Sequence, residues 1–220
     1  MKPFLVSILS AILLTSFTSV PPQKDAKATE ILNALSTKTK SYSSIVANFT
    51  YSVKSNDMNE EQKGVLRLSG DKYRYSIFGV TKISDGVKIC TVSEADEEVI
   101  ITRADYNDPD EFSPSEIFTI YQSGYKYRYI KETTINSKLH HVIELYPEVE
   151  KNNPYRRITM YIEAATPAIY KIDFFHKTST KVFSITLNSA TYNVQVPVSD
   201  FNCSCGINKD YDCDDQTQAK

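Results

Sequence analysis

The sequence has no tryptophan, only six glycines and only three histidines. No Gly-rich phosphate loop, Gly-x-Ser-x-Gly elbow or His-Glu-x-x-His pair occurs in it. The expectation is therefore a protein that is not an enzyme and that works without a cofactor. His140, His141 and His176 fall in segments that read as strands, where a surface or hydrogen-bonded histidine is the ordinary outcome. These histidines and the cysteines make no standard zinc-ligand spacing, so no metal site is expected. Clustered positive charge is also missing. The 25 basic and 27 acidic residues leave a formal charge of -2, and the lysines and arginines are scattered. A nucleic-acid partner needs a concentrated positive surface to neutralise phosphates, so none is expected.

Long apolar runs are lacking as well. The run at residues 4–14 is about eleven residues, whereas a bilayer-spanning helix takes roughly 20, and no later segment is long enough. That run follows Lys2 and leads into small and hydroxylated residues, then Pro21 and Pro22, which is the layout of a cleaved secretory signal peptide over residues 1–22. Loss of Lys2 would take the formal charge from -2 to -3. No cysteine lies at residues 16–24, so the chain is not expected to be tethered through an N-terminal lipid. It is expected to be exported and soluble in the periplasm. Roughly 200 residues remain, within the range of one domain.

What the sequence has in abundance is aromatic side chains, with 15 Tyr and 10 Phe. These are large, β-favouring residues and predict a sheet-rich protein with much apolar surface. Residues 25–42 read as an amphipathic helix, with Ala28, Ile31, Leu32 and Leu35 on one side and Asp25 placed as its cap. From Ile45 the period becomes two, with Ala47, Phe49, Tyr51 and Val53 on one face. A polar turn is expected at residues 55–62, then strands at 65–69, 72–78, 80–84, 87–92 and 99–103. An acidic loop at 106–112 precedes Ser113, Pro114, Ser115 and Glu116, whose spacing predicts a short helix over 114–122, ended by Gly124. Further strands are expected at 125–131, 139–146, 155–164, 169–176 and 181–188. With no crossover helices between them, they should form an antiparallel sheet of about eleven strands.

The helix leading into residues 45–51, the hairpin at 64–75, the stretch Ser84 to Lys88, the stretch Glu97 to Val99 and the segment Ser113 to Tyr125 come in an order and spacing that resembles a known family. It is that of the periplasmic outer-membrane lipoprotein carriers of the LolA type, closest to its Bacteroidetes-like branch, over about residues 26–190. The resemblance implies a mainly β, α+β fold: a curved antiparallel sheet forming an unclosed half-barrel, covered by an N-terminal helix and a short lid helix. It further implies a carrier, acting as a monomer, that encloses the acyl chains of lipoproteins and moves them from the inner to the outer membrane. Its implied partners are an inner-membrane ABC-type lipoprotein-releasing complex and an outer-membrane acceptor. A lipid- or lipoprotein-sensing envelope regulatory module on the same fold is the alternative. Two departures stand out. The enteric members hold the lid with an Arg in a Lys-Arg-Pro stretch, where this chain has Ser69, Gly70 and Asp71; and the family's Phe-rich C-terminal strand is replaced by the Cys-rich residues 201–207.

On this reading residues 23–201 form the carrier-like domain and 202–220 a Cys-rich polar tail. The candidate cavity lining is Phe49, Tyr51, Leu66, Leu68, Tyr73, Tyr75, Ile77 and Ile89, with Ile117, Phe118 and Tyr121 from the lid helix. The same residues would also serve as ordinary core. Arg74 lies on the other strand face from Tyr73 and Tyr75, either as a solvated residue or as a contact to lid or cargo. Of the four cysteines, Cys203 and Cys205 are too close to pair with each other comfortably. Cys213 is expected to close with one of them, and Cys90 to be a buried free thiol.

Overall fold

The computed structural model describes residues 24–105, 114, 117, 119–122, 124–149 and 153–218. The expected leader, the acidic loop and Phe118 lie outside the described residues. Helix α1, Ala26–Lys40, starts where expected because Asp25 accepts a hydrogen bond from the Ala28 amide at 3.0 Å. Its buried residues Ala28, Leu32, Leu35 and Ser36 fall at helical spacing, and Lys38 and Lys40 lie in the last turn, where cations suit the helix dipole.

Twelve strands follow among the described residues: β1 Ile45–Lys54, β2 Asn59–Ser69, β3 Lys72–Ile77, β4 Val80–Ser84, β5 Lys88–Ser93, β6 Glu98–Arg103, β7 Tyr125–Ile135, β8 Lys138–Pro147, β9 Tyr155–Glu163, β10 Ala168–His176, β11 Val182–Tyr192 and β12 Asp212–Asp215. They form one sheet in the order β12-β6-β5-β4-β3-β2-β1-β11-β10-β9-β8-β7. Two meanders are thus joined through their outermost strands in sequence, β1 and β11. The two ends of the sheet do not pair with each other. This unclosed, helix-covered sheet is the expected half-barrel.

Four differences from the sequence expectation have physical causes. Strand β2 begins at Asn59 rather than after Gly64: the polar residues 59–63 pair with Thr50 to Lys54, because ladder hydrogen bonds come from the backbone and need no apolar side chain. The sheet is mixed rather than purely antiparallel, since β12 runs parallel to β6. Among the described residues of the expected 114–122 lid helix, Ile117 and Ile120–Gln122 take 3-10 rather than α-helical conformation, the tighter turn that short connecting pieces commonly adopt. The fourth concerns sulfur. Cys90 is bonded to Cys203, across 113 residues, rather than free, and Cys213 closes with Cys205. Cys90 stands opposite Ile83 and Ile101 on neighbouring strands, and Cys203 meets it there.

The sheet therefore carries apolar side chains on both faces. The concave face, under α1, gathers residues such as Ile143, Leu145, Ile158, Met160 and Ile162 with Leu32 and Leu35 of the helix. The outer face of β4, β5 and β6 holds a smaller cluster of Ile83, Cys90, Val92, Val99 and Ile101, closed over by Cys203, Ile207 and Tyr211 of the C-terminal segment.

Candidate functional site

The concave face is not completely filled. A cavity of about 340 Å³ opens where the two meanders meet. Ile45, Ala47, Phe49 and Tyr51 enter it from β1, because alternate residues of a strand point to one face. Leu66 of β2, Tyr75 and Ile77 of β3, and Phe78 in the following turn extend that wall. Ile169 and Ile172 of β10 and Ile185 and Leu187 of β11 form the opposite wall, and Pro114 and Ile117 complete the lining.

Two irregularities make this wall. The β1–β11 register shifts between Asn48 and Phe49, so that Asn48 faces Ser189 and Phe49 faces Leu187, leaving Asn188 as the extra residue. Because a one-residue slip exchanges faces, the bulge lets Ala190 and Tyr192 on one side of it and Ile185 and Leu187 on the other all face inward. The Asn188 side chain donates to Thr50 Oγ1 at 2.8 Å and secures the bulge. On β10 a second shift skips Tyr170, bringing Ile169 and Ile172 to the same face.

Phe49 lies flat over its cross-strand partner Gly64: a Cβ there would stand 2.3 Å from the ring's Cζ. At the mouth, Tyr51 contacts Phe78 edge-on at 5.7 Å and Phe183 at 6.4 Å. Tyr155 continues this collar against Phe183 and Phe174. Burial raises the phenol pKa of Tyr51 and Tyr155, with nearby Tyr155 and Tyr125 adding to the respective shifts. Burial likewise raises that of Tyr125, against the lowering effect of its hydrogen bond from Asn153. These phenols stay neutral through the ordinary pH range. Among the described residues the wall bears no carboxylate, amine, imidazole or thiol. Such a wall can take up an apolar body.

Of the residues singled out from sequence, Phe49, Tyr51, Leu66, Tyr75, Ile77 and Ile117 line the cavity. Leu68, Tyr73, Ile89 and Tyr121 are instead packed in the core beneath α1. Tyr121 donates to Asn33 Oδ1 of the helix at 3.1 Å and meets the Tyr127 ring edge-on, so it ties the Ile120–Gln122 turn to α1. Arg74 stands on the outer face, opposite Arg67 and Ile83, away from the cavity. The β10 and β11 wall was missed. Alternation of Phe183, Ile185 and Leu187 was a signal for the latter, whereas the bulge at Tyr170 hides Ile169 and Ile172 from any period-two reading.

Fold and cavity together define a class: an unclosed half-barrel that holds an apolar cavity where its two meanders meet. No family model matches the chain, and no curated protein matches it. Among solved structures, an uncharacterized conserved protein from Thermus thermophilus is similar with a TM-score of 0.59 at 9% identity, covering 86% of this chain and 99% of that one. A LolA superfamily protein from Nitrosomonas europaea gives 0.44 at 12% identity, covering 80% and 97%. The lipoprotein LppX of Mycobacterium tuberculosis gives 0.46 at 10%, covering 77% and 98%. At 9% identity the likeness to the Thermus thermophilus protein is one of fold.

Proposed function

We propose that the protein is a non-enzymatic periplasmic carrier that takes the acyl chains of lipoproteins into the concave cavity and moves them from the inner to the outer membrane. The observation that carries this reading is a cavity of about 340 Å³ whose wall is built from aliphatic and aromatic side chains. Each methylene withdrawn from water contributes about 0.8 kcal/mol, so an acyl chain crosses an aqueous compartment only under cover. A carrier must also release its load. A cavity at the seam of an open sheet can release an apolar body without unravelling the strands.

The signal-peptide pattern of residues 1–22 supports export, and the stretches between residues 45 and 125 support the Bacteroidetes-like branch of the LolA type. With no nucleotide-binding loop in the sequence, the energy for loading would come from a partner, an inner-membrane ABC-type releasing complex, and delivery would be to an outer-membrane acceptor. Depletion tests this reading. Fractionated membranes should then show many lipoproteins retained at the inner membrane. Intact sorting accompanied by altered envelope-stress gene expression would replace carriage with a sensing role.

A further inference from the structure

The carrier reading leaves the four cysteines without a role, and the structure divides them into two unlike pairs. Cys90 and Cys203 are 0% and 8% exposed and sit inside the outer-face apolar cluster. Cys205 and Cys213 are both exposed, and their bond closes a sequence separation of only eight. Thiol–disulfide exchange requires a thiolate to reach a sulfur atom, so access ranks the two bonds: the outer one is open to attack and the inner one is shielded.

The outer bond also holds something. Strand β12 runs beside β6 with Asp212 opposite Glu98, Cys213 opposite Val99 and Asp214 opposite Ile100. Its sequence is Asp-Cys-Asp-Asp, and three of its four residues are exposed. Asp is a poor strand former, and the facing pair Asp212 and Glu98 carries like charges, which oppose pairing. β12 thus contributes little side-chain burial to its own pairing. Its N-terminal side is fixed by the Cys205–Cys213 bond, and its C-terminal side by Arg103, which donates to the Thr217 carbonyl at 3.2 and 3.0 Å. What β12 covers is the edge of a strand reading Glu-Val-Ile-Ile-Thr-Arg, the kind of bare edge that proteins protect.

We propose that Cys205–Cys213 is a redox-addressable clasp and Cys90–Cys203 a permanent staple. A dithiol reductant attacks the outer bond through a mixed disulfide and supplies two electrons and two protons. Cys205 and Cys213 become thiols, and the reductant becomes its own disulfide. β12 then leaves the edge of β6, while the inner bond keeps the Val198–Phe201 turn and Cys203 on the outer face.

The test is a dithiothreitol titration of the full mature chain, with free thiols trapped by iodoacetamide and mapped by mass spectrometry, and with amide exchange followed in parallel. Cys205 and Cys213 should become alkylated at about tenfold lower reductant than Cys90 and Cys203. Amide protection of Val99 and Ile101, whose N–H groups face β12, should fall about tenfold at that point, while β1 and β11 stay protected. The variant C205S/C213S should show the same β6 loss without reductant. Simultaneous opening of both bonds, or a β6 that stays protected once the outer bond is open, would overturn the proposal. So would a variant that loses β1 and β11 protection as well, since the outer bond would then be needed for the whole fold.

Discussion

Gly64 is defined by what lies over it. The constraint there is the Phe49 ring, whose Cζ would be 2.3 Å from any Cβ. The sequence showed a glycine at the start of an alternating strand, but only the β1–β2 register reveals that its partner is the aromatic in the cavity wall. Gly64→Val should displace that ring and destabilise the protein by about 1–3 kcal/mol, as overpacking does, read as a lower urea midpoint at unchanged m. The tyrosines yield a second expectation at this scale. Burial raises the phenols of Tyr51, Tyr125 and Tyr155 above their ordinary 10.0, so the folded state binds more protons than the unfolded chain once pH passes that value. Stability should hold below about pH 10 and fall above it, measured by urea unfolding across alkaline pH.

At the scale of elements, legibility followed the physical source of each. Helix α1 was legible because its cap and its apolar spacing are local. Asp25→Ala removes the side-chain acceptor for the Ala28 amide and should cost about 1 kcal/mol in equilibrium unfolding. Strand β1 was legible from alternation, and β4 from a short β-rich run between Gly79 and Gly86. The first half of β2 was hidden because Asn59 to Lys63 pair through backbone groups and keep their side chains exposed to water. The bulges at Asn188 and Tyr170 were hidden because each reverses the face on which later side chains stand. The Cys90–Cys203 bond was hidden for a different reason: nothing local at Cys90 indicates that a segment 113 residues later lies over β5.

The molecule as a whole is two meanders that meet along β1 and β11, and the cavity lies at that seam. Eight of its lining residues come from residues 45–78, where period-two reading works, and four from residues 169–187, where the bulges intervene. The cavity therefore exists only once the first and last long strands of the sheet have paired. The most direct test of carriage is native mass spectrometry of the mature protein isolated from the periplasm, beside Ile185→Asp and Leu187→Asp variants that place a charge in the wall without touching α1. A one-to-one complex with an acyl-containing species, absent from the folded variants, is the predicted result. A chain that is empty as isolated and that fails to take up a purified lipoprotein would contradict it.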